Sequence, residues 1–323
     1  MHIPQYMLNG AICPVTAGVA AAGITTASVL ALRAKEKPTA LKFAAVTSLI
    51  FAAQMMNFPI MDGTSGHLIG TTLAILLLGA PFGVISMSII LAIQSLIFSD
   101  GGLNVLGANI INMALIGAIP GIILTRLYKN EKISGNPVMK YGLLFAGAWL
   151  STVLASGACA LEIGIGGEIA LAQGLPAMLS VHILIGIGEG LLTALLGLAF
   201  ANSKVASSQK MSAGIPLVSA AVVALVLSPL ASGFPDGLEW VASKFNALHE
   251  TAPAFVAPLS GIHAAAGLPT SVWVAPLADY SVAGIANPAL STGIAGLIGV
   301  ALTFGVMYLL GLLFNRKTAP QKL

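Results

Sequence analysis

The amino-acid sequence predicts an all-α protein that crosses a membrane several times. Hydrophobic residues make up 57% of the chain and charged residues only 8%, whereas soluble proteins carry about 25% charged residues. The mean hydropathy is +0.95. The apolar residues form continuous runs rather than the alternating pattern of a membrane β-barrel. The bilayer is therefore the main solvent that this chain is built for.

About nine hydrophobic segments, separated by polar turns, account for most of the length. The third is too short to cross a hydrocarbon core of about 30 Å comfortably, so we expect it to be tilted or covered by its neighbours. Residues 233–285 are mixed in composition and are expected outside the membrane, with a local helix beginning after Asp236. The nine segments are residues 12–32, 41–56, 68–79, 84–98, 103–127, 141–160, 171–201, 214–232 and 286–314.

The placement of the basic residues predicts the orientation in the membrane. Thirteen of the fourteen Lys and Arg residues fall in loops of one parity, and only Lys244 falls in the other. Because cytoplasmic loops carry an excess of Lys and Arg, the N-terminus is expected outside and the C-terminus in the cytoplasm. The net charge of +3 comes from these loops and does not indicate a nucleic-acid partner. Cys13 and Cys159 are too few for a disulfide framework or a thiolate metal site.

The first two residues, Met1 and His2, form a potential chelate for a metal ion. A free α-amine, the backbone nitrogen of residue 2 and its imidazole can close two fused rings around one cation, and His67 can supply a fourth nitrogen. A plane of nitrogen ligands suits Ni²⁺ and Cu²⁺, with Co²⁺ close behind. No basic residue precedes the first apolar segment, so we expect Met1 to be the mature terminus. Taken alone, the two histidines are equally well explained as unrelated polar residues at the outer interface.

Other polar and small residues inside the segments have two interpretations each. Glu189 lies seven residues after His182, on the same helical face, and intramembrane ionisable residues are costly. A glutamic acid hydrogen-bonded between helices is the preferred explanation for Glu189, and a proton relay is the alternative. Ala44, Ser48 and Ala52 form a stripe of small residues that permits close helix approach, either within the chain or with another subunit.

Several strings together resemble the CbiM/NikM family, the cobalt and nickel substrate-binding S components of energy-coupling-factor transporters. The resemblance covers about residues 1–205. Gln5-Tyr6-Met7 and Gly66 depart from the family pattern, which leaves the lining of the pocket open but not the ligands. A further string, Pro235-Asp236-Gly237-Leu238-Glu239, resembles the PDGLE-type (CbiN/NikN-like) accessory module, here in residues 206–323. The strings of the first resemblance are Met1-His2-Ile3-Pro4, Ser65-Gly66-His67-Leu68, Gly70-Thr71, Gly101-Gly102-Leu103, Leu106-Gly107-Ala108-Asn109, Asn112-Met113, His182 and Ile185-Gly186-Ile187-Gly188-Glu189-Gly190.

The resemblance implies a metal-binding subunit of an ABC importer in the plasma membrane of a prokaryote. It implies a square of ligands from the Met1 amine, the His2 backbone nitrogen and imidazole, and His67, and it makes Ni²⁺ or Co²⁺ the transported ion rather than a resident cofactor. It also implies two partners, a transmembrane T subunit (CbiQ/NikQ-like) and a cytoplasmic ATPase (CbiO/NikO-like). Candidates for orienting the ligands are Thr64, Ser65 and Asn109, and the stripe Ala44, Ser48 and Ala52 is the candidate surface for the T subunit.

Two further predictions concern the accessory string and the function class. Residues 235–239 carry carboxylates but no histidine, so we expect them at the surface, without a ligand role. The chain has no G-x-x-x-x-G-K-[ST] motif for ATP hydrolysis and no H-E-x-x-H motif of a metalloprotease, so an enzyme is not expected. The alternative to an importer subunit is a self-sufficient carrier that couples metal to protons through Glu189 and His182.

Overall fold

The structure is a computed structural model that describes residues 1–167, 169–202, 213–247, 254–256 and 272–316. Twelve helices in these residues make an all-α membrane architecture, which confirms the predicted fold class. Four of the helices continue or begin through wider π-helical turns, at residues 94–98, 110–116 and 223–227. The helices are α1 (Ile12–Arg33), α2 (Ala40–Gln54), α3 (Thr71–Leu78), α4 (Ala80–Ile93), α5 (Leu106–Asn109), α6 (Ala118–Leu127), α7 (Glu131–Ser134), α8 (Pro137–Gly166), α9 (Leu171–Asn202), α10 (Gly214–Val222), α11 (Gly237–Lys244) and α12 (Pro288–Asn315).

Each of the nine predicted segments contains a helix, and local sequence explains where several of them begin. Thr39, Asn136 and Asn287 cap α2, α8 and α12 by accepting backbone N–H hydrogen bonds. Among the described residues, six helical stretches are long and apolar enough to cross a membrane, and α2 and residues 214–230 are shorter apolar helices. The number of crossings and the orientation of the termini stay predictions.

The short helix α3 lies in the centre of the bundle, as its length suggested. Seven of its eight residues are buried, and it packs against α4, α6 and α8. Gly79, with a φ of +87°, separates α3 from α4, and this backbone conformation is readily adopted only by glycine. Because protein covers α3 on all these sides, the broken backbone at its ends does not face lipid.

Helix α12, near the C-terminus, covers the small-residue stripe of α2. Ala44, Ser48 and Ala52 are fully buried, and the Ser48 hydroxyl donates a hydrogen bond to the backbone carbonyl of Val300 in α12, at 3.3 Å. The small side chains therefore serve close packing inside the chain. This corrects the expectation that the stripe is an exposed docking surface for a T subunit.

The outer end of the bundle carries a small antiparallel pair of strands, β1 (Asn57–Pro59) and β2 (Ser65–His67). β2 is extended on its other side by the accessory string, because the Ser65 N–H donates to the Pro235 carbonyl at 2.8 Å. A second pair joins β3 (Ala254–Val256) to β4 (Val272–Val274). The predicted helix after Asp236 is confirmed as α11, which begins with a capping box between Asp236 and Glu239. The strand that ends in His67 therefore touches both halves of the chain.

Candidate metal centre

The Met1 amine and the His67 imidazole meet in the interior of the outer end. The amine nitrogen lies 3.0 Å from Nε2 of His67, and both residues are buried. The other ring nitrogen of His67, Nδ1, lies 3.1 Å from the Leu68 carbonyl oxygen, which can only accept a hydrogen bond. Nδ1 therefore carries the proton, and the lone pair of Nε2 points at the amine. Metal–nitrogen bonds of about 2.0–2.1 Å separate neighbouring corners of a square by about 2.8–3.0 Å, which matches this spacing.

The His2 imidazole stacks against that of His67, with ring centroids 5.3 Å apart. Its Nε2 lies 3.0 Å from Oε1 of Gln94. Its Nδ1, the atom that a chelate through the residue 2 backbone requires, lies 3.1 Å from Oδ1 of Asp100. Burial lowers the pKa of His2, and the Asp100 carboxylate partly opposes this. A proton on Nδ1 would be shared with Asp100, so a metal ion binding there must displace it.

A carboxylate from the accessory string, Asp236, forms an ion pair with the Met1 amine. The same oxygen lies 4.0 Å from Nε2 of His67, and the Asp236 side chain is only 14% exposed. The prediction that residues 235–239 lie at the surface is therefore wrong for Asp236. The reason is local geometry, because Oδ1 caps the backbone N–H groups of Leu238 and Glu239, and this turns Oδ2 inward toward the amine.

Electrostatics at the centre favours neutral imidazole and charged carboxylate. Burial, helped by the charge of the Met1 amine, lowers the pKa of His67 to about 3. Burial acts on Asp236 in the opposite sense, but the amine and His67 hold the pKa of this carboxyl well below its ordinary value. At pH 7 the centre thus contains a free imidazole lone pair and a carboxylate, both of which suit a cation.

The three residues proposed to orient the ligands act on backbone next to them. Asn109 grips Ile3 at both ends, since Oδ1 accepts from the Ile3 N–H at 2.8 Å and Nδ2 donates to its carbonyl at 3.2 Å. Ser65 donates to the Phe234 carbonyl at 2.8 Å, and Thr64 donates to the Pro235 carbonyl at 3.2 Å. Asn109 therefore fixes the N-terminal strand, and the two hydroxyls fix the accessory string beside the centre.

Glu189 in α9 supports the segment that follows His67. Its two carboxylate oxygens accept hydrogen bonds from the backbone N–H groups of Ile69, at 2.6 Å, and Gly70, at 2.9 Å. The side chain is fully buried, and Gly70 has a φ of +80°. The geometry agrees with the structural role preferred for Glu189, an acidic group hydrogen-bonded between α9 and the His67 segment.

The second polar residue of α9, His182, faces a small cavity beside the centre. The cavity has about 10 Å³ of space for water-sized centres, close to what a single water needs. Met1, His67, His182 and Asp236 are among its lining residues. His182 Nδ1 lies 2.8 Å from the Met178 carbonyl oxygen, and its Nε2 makes no hydrogen bond to any residue that the structure describes.

Sequence reasoning missed four polar residues at the centre: Gln54, Gln94, Asp100 and Asp236. Gln54 and Gln94 are amides within apolar segments, and such residues are costly in a membrane and usually functional. That rule was applied to Glu189 and could have been applied to both glutamines. Asp100 follows the same segment as Gln94 and shares the predicted outer side with His2. In the described part of the chain, His, Cys, Asp and Glu side chains alone form no group of three around a metal-sized space, because the chelate depends on amine and backbone nitrogens.

Comparisons with known proteins agree with this site. The family described as CbiM, "Cobalt uptake substrate-specific transmembrane region", matches residues 2–207, and the PDGLE domain matches residues 210–316. A "Putative fused nickel transport protein NikMN" of Archaeoglobus fulgidus is 33% identical over 255 residues, covering 76% of this chain and 83% of the relative. A "Fused nickel transport protein NikMN" of Rhodobacter capsulatus is 30% identical over 327 residues, covering 90% of this chain and 91% of the relative.

A solved structure has the same fold over the N-terminal part. The crystal structure of a truncated transition metal transporter superposes with a TM-score of 0.55 at 30% identity, covering 62% of this chain and 98% of that chain. The matches to the family and to the fused relatives extend over both halves of the chain. This chain is therefore a multi-pass protein of the prokaryotic plasma membrane that belongs to the CbiM family of cobalt and nickel transport proteins and carries a C-terminal PDGLE domain.

Proposed function

We propose that this chain is the substrate-binding membrane subunit of an energy-coupling-factor importer for Ni²⁺ or Co²⁺. The ion is bound by the Met1 amine, the backbone nitrogen and Nδ1 of His2, and Nε2 of His67. Residues 1–205 form the metal-binding unit in this proposal, and residues 206–323 form the accessory module.

The observation that carries the proposal is the pair formed by the Met1 amine and His67 Nε2. Two nitrogen donors lie 3.0 Å apart, the separation expected for neighbouring corners of a metal square. The Leu68 carbonyl holds the proton of His67 on the far side of the ring, as is usual for metal-binding histidines. A shared proton occupies the place between these donors in the empty site, and a metal ion replaces it.

The donor set also restricts the kind of ion. Binding through the backbone nitrogen of His2 requires that the amide lose its proton, which the chelate makes favourable for Ni²⁺ or Cu²⁺ but not for Zn²⁺ or Mg²⁺. The names of the fused relatives from Archaeoglobus fulgidus and Rhodobacter capsulatus refer to nickel transport, which favours Ni²⁺ among these ions. The protein adds no chemistry to its cargo, and we propose no enzymatic activity.

Energy for import comes from separate proteins in this proposal, a CbiQ/NikQ-like T subunit and a CbiO/NikO-like ATPase. The sequence carries no P-loop motif of its own. The alternative, a proton-coupled carrier, needs Glu189 as a site that gains and loses a proton. Both oxygens of Glu189 accept backbone N–H groups, and a proton on either would break one of these bonds. This observation favours the importer subunit over the carrier.

The proposal is tested by changing the chain before Met1. A removable N-terminal tag is cut so that either no residue or a single Gly remains, and bound Ni²⁺ per protein is counted by native mass spectrometry. One added Gly converts the amine ligand into an amide, and we expect binding to be lost. A Gly added after Leu323 is the matched control and is expected to bind one Ni²⁺. Normal Ni²⁺ binding by the protein with Gly before Met1 would contradict the proposal.

A further inference from the structure

A chain of hydrogen bonds with a fixed direction links the Ile69 carbonyl to the His2 ring. Gln54 Nε2 lies 2.6 Å from the Ile69 carbonyl oxygen. Gln94 Nε2 lies 2.8 Å from Oε1 of Gln54, and Oε1 of Gln94 lies 3.0 Å from Nε2 of His2. All members of this chain are buried except for part of His2, so water does not compete with it.

The direction of the chain follows from the Ile69 carbonyl, which can only accept. Gln54 must therefore present its NH₂ group to Ile69 and its oxygen to Gln94. Gln94 must then present its NH₂ group to Gln54, which leaves its oxygen facing His2. An amide oxygen accepts, so Nε2 of His2 must be the nitrogen that carries the proton. The lone pair of the neutral ring is left on Nδ1, the atom that the chelate needs.

The backbone next to His67 thus determines the proton positions of both histidines. The Leu68 carbonyl accepts from Nδ1 of His67, and the next carbonyl, that of Ile69, acts on His2 through two amides. The two rings are held in opposite tautomers, with Nε2 free in His67 and Nδ1 free in His2. Glu189 fixes this same backbone by binding the N–H groups of Ile69 and Gly70, which keeps both carbonyls in place.

We infer that Gln54 and Gln94 are positioning residues that set the tautomer of His2 for metal binding. The inference rests on the proposed function for the meaning of Nδ1 as a ligand, but the tautomer itself is measurable without metal. It also explains why two amides lie within apolar helical segments, where an unpaired polar group is costly. Orientation of a ligand by such partners changes metal affinity by about 10–100-fold when the partner is removed.

The experiment compares Gln94→Met with Gln94→Glu. Methionine has a similar length but no acceptor oxygen, whereas a glutamate carboxylate still accepts from Nε2 of His2, and Gln54 can turn to donate to it. Gln173→Met is the matched control, because Gln173 is exposed at the start of α9. Nitrogen-15 NMR of histidine-labelled, metal-free protein above pH 8 reports which ring nitrogen carries the proton, and the His2→Ala variant identifies the His2 signals. Ni²⁺ affinity is measured by equilibrium dialysis.

We expect His2 to carry its proton on Nε2 in the unmodified protein and in Gln94→Glu and Gln173→Met. Gln94→Met should populate the other tautomer and bind Ni²⁺ about 10-fold more weakly or worse. A proton on Nδ1 of His2 in the unmodified protein would overturn the inference, even if every variant failed to fold. So would Gln94→Met with an unchanged tautomer and affinity. Unchanged Ni²⁺ affinity of His2→Ala would instead refute the proposed ligand set, whatever the tautomer.

Discussion

Replacement of Glu189 by Gln removes one of the two acceptors that hold the His67 segment. The carboxylate now serves two backbone N–H groups, those of Ile69 and Gly70. A glutamine has a single oxygen, so one N–H loses its acceptor and faces an NH₂ group in a fully buried place. We therefore expect the segment to shift and His67 to move with it.

The magnitude follows from the lost contact. A hydrogen bond to a charged group contributes about 1.5–3 kcal/mol, and a buried donor left without a partner costs about 1–3 kcal/mol. We expect Glu189→Gln to destabilise the segment by about 2–3 kcal/mol. If all of this is expressed in metal binding, Ni²⁺ affinity falls by about 30–150-fold, since each 1.4 kcal/mol is a factor of ten.

The assay is equilibrium dialysis of purified protein against Ni²⁺, with unfolding followed on the same samples. Glu131→Gln in the short helix α7 is the control, because Glu131 is exposed and the chemical change is identical. Unchanged affinity and stability in Glu189→Gln would refute the role of Glu189 as an anchor. If uptake in cells were lost at the same time, the proton-coupled carrier would become the better explanation.

Three further predictions test packing and charge. A Cβ at Gly237 would lie 2.8 Å from Cε1 of His182, so Gly237→Ala should destabilise the protein by about 1–3 kcal/mol. Gly233→Ala, with open space around its Cβ, should have no effect, and equal thermal unfolding of the two would be contrary to this packing. The pKa of His67 is lowered to about 3 from an ordinary 6.5, so the unfolded chain takes up the proton first. The metal-free protein should therefore lose about 2 kcal/mol between pH 6.5 and 5, a dependence that denaturant titrations should find reduced in His67→Gln. Ser48→Leu should destabilise by about 1–3 kcal/mol through overpacking against α12; wild-type unfolding of this variant would argue for an open stripe instead.

The sequence predicts the features that depend on local composition. Continuous apolar runs identify the nine helical segments, and the polar start of α11 at Asp236 follows from a capping pattern over a few residues. The pairing of Met1 with His67 was also reached, through the resemblance and through their shared predicted side of the membrane. In each case the signal lies in residue type and short-range spacing.

The features that were missed depend on contacts between distant parts of the chain. Asp236 was assigned to the surface because carboxylates usually are, and nothing near it in sequence indicates that the Met1 amine is its partner. Small residues such as Ala44 and Ser48 pack equally well against a helix of the same chain or of another, so composition cannot identify α12 as their neighbour. The tautomer chain needs Gln54 and Gln94 at the same depth, which follows only from the packing of α2 against the end of α4.

The ion pair between Met1 and Asp236 has a consequence for which cations the closed site accepts. In the empty site the carboxylate faces an ammonium group of charge +1. In the loaded site, a divalent ion that has displaced the amide proton of His2 is offset by one negative nitrogen, so the carboxylate again faces a net charge of +1. The same fold therefore balances charge before and after loading. An ion such as Mg²⁺ or Zn²⁺ that leaves the amide protonated brings a net charge of +2 against one carboxylate in a buried place, where unbalanced charge is costly. We expect charge conservation at Asp236 to discriminate among divalent ions in addition to ligand geometry.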